Sequence, residues 1–411
     1  MSINVLHITN TDIAGCAFNG YDLINDLAPF NISGRQMVLD KISSNPAVIE
    51  LLGRHGRAMR DALRKLEQEV GANNLFFPWA KQIVETPAFQ NADVIHYHLW
   101  HNQVISLFDF AWITHQKPCV WTIHDPWFFT GHCIQPQQCI GWKNGCIKCP
   151  HLDYAFSLQK DTAHIHWTIK YANSLKIAAQ PIVASSWMKD LTQKSPIGQN
   201  LKTPILIPFG IDTASVLSSN KPSASKTTYH ILPTKKVIFF RSDNIAVKGV
   251  DYIIEALDLL PDKVQQSVAL LTVGDRKLPQ RFYKKFQIVQ LPWTNSRTEL
   301  FELYNACDLF LMPSLAEAFG LMAIEAMAVG RPVIVFSDTA LPDIIDAPHC
   351  GIEVPFGDSS ALATAIHQIL ENDALRLERG RLGQELVRKR YQKGNYLAAL
   401  AQTYQAVIDN G

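Results

Sequence analysis

The sequence predicts an α/β protein made of two Rossmann-like units in tandem, each with a parallel sheet. Three observations predict it. At 411 residues the chain is too long for one typical core and suits two domains of roughly 200 residues each. Short apolar runs bounded by turn residues alternate with longer helical patterns, the layout of a doubly wound fold. The alternation also stops and restarts once, near the middle of the chain.

The first series runs through Val5–Ile8, Asp93–His96, Cys119–Ile123 and Pro181–Ala184. Each run is apolar without polar alternation, as in strands covered on both faces. Stretches such as Ala58–Val70 are long enough for crossover helices. The pattern breaks at Pro204–Asp212, and residues 213–235 are rich in Ser, Thr, Lys and Pro without a sustained period. They read as linker and surface loop. A second series follows at Val237–Phe240, Ala269–Val273, Leu309–Met312 and Pro332–Phe336, separated by helical stretches such as Tyr252–Leu260 and Ala361–Glu371. The divisions are therefore 1–208, a linker at 209–235, 236–390, and a C-terminal helix at 391–411 expected to cross back to the first domain. Ligands bind beyond the carboxyl ends of strands in such sheets. Two units facing each other would place the site in the cleft between them.

Composition narrows the function. Apolar residues make up 47%, charged residues 18%, and the net charge is +1. That balance gives no overall electrostatic reason to expect a nucleic acid partner. The start, Met1–Ile8, lacks the charged leader and apolar core of a signal peptide. No apolar run reaches the roughly 20 residues of a membrane span. The expected location is the cytoplasm.

The most informative segment is Pro313–Gly330, which follows a strand and opens a helix near Gly320. Glu317 lies in the connecting loop. Glu325 falls eight residues on, and at 100° per residue that returns close to the starting direction. Backbone N–H groups at Phe319, Gly320 and Leu321 point out of the helix start, a ready seat for phosphate. One carboxylate near a sugar and one near ribose hydroxyls would bracket a diphosphate. Glu325 could instead be a charge on a half-exposed helix. Its neighbours Ala323, Ile324, Ala326, Met327 and Ala328 are apolar, however, and a half-buried carboxylate needs partners.

Two glutamates spaced this way inside Glu-Ala-Phe-Gly-Leu-Met-Ala-Ile-Glu resemble the signature of retaining glycosyltransferases of the GT-B fold. The chain is most similar to glycosyltransferase family 4, of the polysaccharide-biosynthesis type. Phe240–Gly249 resembles that family's phosphate-binding Arg and Lys-Gly element, with Arg241 and Lys248 as the cations. Two cations at a strand end would stabilise the charge that develops on a departing nucleoside diphosphate. Val273-Gly274-Asp275 resembles the family's Val-Gly-Asp turn, and Trp293 lies where the nucleobase usually rests. His124-Asp125 resembles its His-Asp element, in which the histidine reaches toward the donor sugar. Gly15 matches one of two glycines in the first strand-to-helix loop, with Cys16 in place of the other. Thr339 and Ala340 likewise replace a glycine pair, and Asp343 a glutamate.

The resemblance implies a hexosyltransferase that moves a sugar from a UDP or GDP donor to a hydroxyl of a saccharide or lipid-linked saccharide, with retention. It assigns His124, Glu317, Arg241 and Lys248 to catalysis. It assigns Gly15, Gly274, Asp275, Trp293, Phe319, Gly320, Leu321 and Glu325 to the donor. The first domain would bind the acceptor. No Asp-x-Asp occurs in the sequence, so no catalytic metal is expected. The alternatives are a nucleotide-sugar 2-epimerase of the same fold and an inactive sugar-binding scaffold.

Three further features concern the first domain. His96–His101 follows a strand and reads as an acceptor surface, with His98 and Asp125 as contacts. Cys133, Cys139, Cys146 and Cys149 in the loop 130–151 have the spacing C-x5-C-x6-C-x2-C. Close thiols in a reducing compartment suggest a structural zinc more than disulfides, with His132 and His151 as competing ligands. Free thiols or two disulfides are the bland readings. Arg54, Arg57, Arg60, Arg64 and Lys65 fall at near-helical spacing. They form either a solvated face or, at the inner face of a membrane, a peripheral contact with anionic lipid.

Overall fold

The computed structural model describes residues 2–153, 156–213 and 226–410. Residues 214–225 of the expected linker therefore lie outside the described residues. The chain forms two compact units, one of residues 1–208 with 394–411 and the other of residues 209–393.

The first unit contains seven strands: β1 (Ile3–Ile8), β2 (Ile32–Val38), β3 (Val48–Glu50), β4 (Val94–Tyr97), β5 (Cys119–Thr122), β6 (Gln180–Val183) and β7 (Ile205–Leu206). They form one sheet in the order β3-β2-β1-β4-β5-β6-β7, parallel throughout. Strands β4 and β5 are buried along their whole length, as a parallel sheet covered on both faces requires. The helix Lys393–Asp409 supplies part of that cover, its Tyr404 wholly buried.

The second unit contains β8 (Lys236–Arg241), β9 (Val268–Val273), β10 (Gln287–Leu291), β11 (Leu309–Met312), β12 (Val333–Phe336) and β13 (Ile352–Val354). Their order is β10-β9-β8-β11-β12-β13, again all parallel. Its core joins Ile238, Phe240, Leu270, Leu309, Leu311 and Ile334 to the inner faces of Val250–Leu259 and Ser359–Glu371.

Strand order reverses between β1 and β4 in the first sheet and between β8 and β11 in the second. Such switch points are where open α/β sheets bind ligands, because the loops there diverge to opposite faces. The loops after β1, β4 and β5 flank the first, and those after β8 and β11 flank the second.

The apolar runs mark β1, β4, β5, β6, β8, β9, β11 and β12. They do not mark β2, whose Ser33, Gly34, Arg35 and Gln36 break the apolar run, nor the short or edge strands β3, β7, β10 and β13. The C-terminal region folds as two helices, Asp373–Arg390 and Lys393–Asp409. The break falls where Gln392 bridges to Ile211.

Candidate functional site

The second unit gathers its charged residues around its switch point. β8 delivers Arg241, whose guanidinium pairs with Asp243 and lies 4.2 Å from the centre of the Trp293 ring. Lys248 ends a short 3-10 turn directly before the helix Val250–Leu259. Its ammonium lies 3.1 Å from the Glu317 carboxylate, with side-chain exposures of 25% and 19%. Both groups therefore remain within reach of a ligand. The turn depends on Gly249, at φ +73°, where a Cβ would stand 1.9 Å from the Pro313 carbonyl oxygen. Only glycine allows the Lys248 loop to sit this close to the end of β11. The Leu315 N–H donates to the Val247 carbonyl at 2.8 Å and fastens the two loops together.

Around this pair the turn Gly274-Asp275 is fixed by hydrogen bonds. The Gly274 N–H donates to the Leu291 carbonyl at 3.0 Å, and Asp275 accepts from the Asn244 N–H at 3.2 Å. Gly320 occupies the cap position of the helix Leu321–Ala328, and no side chain caps it. The first N–H groups of that helix carry its positive end.

Two readings change here. The helix begins at Leu321, so helical periodicity cannot relate Glu317 to Glu325. Glu317 is a loop residue that answers Lys248, whereas Glu325 is half-buried and accepts a hydrogen bond from the Tyr304 hydroxyl at 3.0 Å. Burial pushes the Glu325 carboxyl up to about 7, against the opposing Tyr304 bond. Phe319 differs as well. Its ring is 5% exposed and packs edge-on against Phe209 and Tyr391, with centroids 5.0 and 5.8 Å away. That side chain is core, which leaves only its backbone for a ligand. Tyr304 and Asp243 also belong to the site; no motif pointed to Tyr304, and Asp243 lies inside the Phe240–Gly249 element, which had marked only its cations.

The first unit is organised differently. His124 follows β5, stacks on His98 with ring centroids 5.4 Å apart and meets the Phe18 ring at a tilt, also at 5.4 Å. Phe18 lies in the loop after β1, where the Gly15 carbonyl accepts from the Phe18 and Asn19 N–H groups at 2.9 and 3.0 Å. Gly15, His98 and His124 are thus brought together. His98 is 1% exposed, and His96 and His101 are also buried. The segment His96–His101 is therefore no acceptor surface. The parallel register turns these imidazoles inward, setting His7 opposite His96. Burial lowers His7 to about 3, His124 to about 4, and His96 and His98 well below the usual range.

Asp125 lies 3.3 Å from His101 and accepts the Trp127 N–H at 2.9 Å. Burial pushes its carboxyl up, but His101 and the Trp127 N–H outweigh burial and hold it below the usual carboxylate range. The His101 ring stacks on Trp127 at 4.6 Å. On that same indole the buried Lys170 ammonium sits 3.6 Å from a ring centre, donating to the Trp127 and Thr130 carbonyls at 2.7 and 3.0 Å. Lys170 thereby ties the helix Ala163–Ser174 to the start of the cysteine loop.

In that loop all four cysteines are free thiols. Cys146 and Cys139 accept from the Gly131 and Gly141 N–H groups at 3.2 and 3.4 Å. Cys149 lies 3.2 Å from His132 Nε2. Among the described residues, His7, His96 and His98 form the one group of three with ligand atoms all within 4.8 Å of one another. The four sulfurs do not converge in that way. On the helix Arg54–Val70, Arg57, Arg60 and Arg64 pair with Glu50, Asp40 and Asp61. No helix among the described residues is long and apolar enough to cross a membrane.

Residues 225–385 match the family model described as "Glycosyl transferases group 1". WcaC of Escherichia coli (strain K12), named as a colanic acid biosynthesis glycosyl transferase, is 24% identical over 272 residues, 61% of this chain and 62% of that protein. The chain thus spans less than two thirds of that relative's length. Sucrose-phosphate synthase from Thermosynechococcus elongatus superposes with a TM-score of 0.68 at 18% identity, covering 100% of both chains. Anabaena HepE in complex with UDP-glucose gives 0.66 at 17% identity, covering 98% of this chain and 100% of that one. At these identities the structures establish the fold alone. None of these similarities supports a 2-epimerase.

Proposed function

We propose, from the premise that this is a GT-B chain of the glycosyltransferase family 4 type whose residues 225–385 belong to the glycosyl transferases group 1 family, that the protein transfers a hexose from a nucleoside-diphosphate sugar. The acceptor is a hydroxyl of a saccharide or lipid-linked saccharide, and the anomeric configuration is retained. One observation carries this reading: Lys248 and Arg241 flank the second switch point, each held by one carboxylate, Glu317 and Asp243.

A nucleotide-sugar diphosphate entering there brings two negative charges, matching those of the two carboxylates it displaces, and more acceptor oxygens for the cations. Lys248 and Arg241 then turn to the phosphates, and the N–H groups at Gly320 and Leu321 meet them from the helix end. Glu317, released from Lys248, faces the sugar. Glu325 accepts from ribose hydroxyls, and Trp293, already stacked with Arg241, lies flat for the base. As the glycosidic bond breaks, the two cations stabilise the charge on the leaving diphosphate. That diphosphate takes the proton of the attacking hydroxyl. In the first unit His124 contributes a hydrogen bond to a sugar hydroxyl, and Asp125 holds the loop that follows it. Both UDP and GDP fit this scheme, and the UDP-glucose bound by Anabaena HepE supports a nucleotide-sugar donor.

Two ancillary proposals follow from the first unit. A structural zinc on Cys133, Cys139, Cys146 and Cys149 would brace the loop, supported by the N–H groups already directed at two of the sulfurs. Binding would draw the sulfurs together. Metal analysis of protein purified under reducing conditions tests it, and a metal-free protein overturns it. Peripheral lipid contact would use the exposed Arg54, Met59, Lys65 and Leu66, since Arg57, Arg60 and Arg64 are engaged by acids. Flotation with anionic liposomes tests it.

Incubation with UDP- and GDP-sugars tests the main reading. Release of nucleotide with an axial or equatorial product bond matching the donor supports it. Epimerisation without release, or binding without turnover, contradicts it.

A further inference from the structure

Three imidazoles in the first unit form an end-to-end chain. His7 Nδ1 lies 3.1 Å from His98 Nε2, and His98 Nδ1 lies 3.2 Å from His124 Nε2. His7 is sealed at the inner end, 0% exposed, and its Nε2 has no partner. Gly20, at φ +99°, closes over it so tightly that a Cβ would stand 2.6 Å from His7 Cβ. The neighbouring His96 stacks on His98 at 4.0 Å but stays outside the chain. Its nitrogens are used by the Tyr404 and Thr122 hydroxyls, each at 2.7 Å. A metal would need one of those nitrogens, so the cluster reads as a hydrogen-bond array.

Burial keeps these rings neutral near pH 7, and each neutral imidazole carries one N–H. His98, with one N–H and two ring partners, must donate to one and accept from the other. Both bonds therefore run in the same direction. If they run inward, His7 is left with a buried N–H that has no acceptor. If they run outward, His7 is left with a bare lone pair, the lesser cost because orphaned buried N–H groups are the rarer defect. The outward direction puts the proton of His124 on Nδ1.

We propose that His7 and His98 are positioning residues that hold His124 as its Nδ1–H tautomer, making it a hydrogen-bond donor. The use of that donor toward a sugar hydroxyl rests on the transferase reading; the tautomer itself does not. Free imidazole side chains prefer the opposite tautomer, Nε2–H, so the structure imposes a detectable reversal.

The test is a long-range 1H–15N spectrum of the full chain with 15N-labelled histidine at neutral pH, the His124 signals being assigned by their loss in His124→Gln. The expected result is a pyridine-type Nε2 and a protonated Nδ1 at His124, reverting mainly to Nε2–H in His7→Phe. A His124 with Nε2–H in the unsubstituted protein overturns the proposal, even if His7→Phe does not fold. So does an Nδ1–H that persists in folded His7→Phe and His98→Phe, or a bound metal that shifts the His7 and His98 signals. If the signature is present but no nucleotide sugar is consumed, the tautomer claim stands and the transferase reading falls.

Discussion

The two units present the same doubly wound sheet and opposite kinds of chemistry at their switch points. In the second, charged side chains at a strand end and in the loops beside it are stored as ion pairs, the partly exposed Lys248 with Glu317 and Arg241 with the buried Asp243. In the first, neutral imidazoles are folded into the sheet face under Tyr404. A partly exposed pair such as Lys248–Glu317 separates at small cost, because pairs in contact with water are worth only about 0–1 kcal/mol. A buried hydrogen-bonded row cannot rearrange so cheaply. The second unit is therefore suited to exchanging partners when a phosphate arrives, and the first to holding a fixed donor.

The sharpest way to break this contrast is to remove the cations. Arg241→Ala and Lys248→Ala should each lower turnover about 10²–10³-fold, the usual effect of losing a preorganised charge on a leaving group. Folding should be intact in Lys248→Ala, because Lys248 is a partly exposed loop residue, whereas Arg241 ends β8 beside the buried Asp243 and its loss should cost some stability as well. Steady-state nucleotide release checks this, and a loss under tenfold would remove the cations from the mechanism.

Acid should separate the units by sign. Histidines whose folded values lie below the unfolded 6.5 stabilise fully above pH 6.5, and that stability is lost as pH falls toward about 4 and 3. Each contributes a slope of up to about 1.4 kcal/mol per pH unit in that window. Glu325 has the opposite sign. Its folded value of about 7 lies above the unfolded 4.5, so its contribution is full below pH 4.5 and is lost as pH rises toward 7. Denaturation curves at pH 7 and pH 5 should show the first unit weakening first. Replacing His7 with Phe should flatten that acid dependence.

These two effects also show what was legible in the sequence. Arg241 and Lys248 stand at the end of β8 and in the turn after it, Glu317 in the loop after β11 and Glu325 in the short apolar helix that follows, where charged residues near glycines are conspicuous. The fold was legible for the same kind of reason, because β11 and β12 are unbroken apolar runs and β5 and β9 nearly so. The histidine row was hidden. His7 and His96 sit inside strands as single polar residues, and only the parallel register sets them opposite one another. Tyr304 was hidden too, as an aromatic in the helix Arg297–Ala306 with nothing near it in sequence to mark it as the partner of Glu325.

Smaller effects refine the second unit. Nucleotide binding at pH 7 should release a fraction of a proton, because ribose hydroxyls donating to Glu325 favour its carboxylate. Calorimetry in buffers of different ionisation heat reads that release, and Glu325→Gln should abolish it while weakening binding about tenfold, the cost of a hydrogen bond to a charged group. Trp293→Ala should weaken binding only a few-fold, in line with about 0.5–1 kcal/mol for an exposed cation–π contact.

The most direct measurement is calorimetric titration of UDP and GDP into the unsubstituted protein and into the Arg241→Ala/Lys248→Ala double variant. Saturable binding of one nucleotide, weakened at least about a hundredfold in the double variant, is the predicted result, as expected when two charge-assisted contacts are lost. Binding of equal strength in both proteins would contradict the assignment of the second switch point as the donor grip.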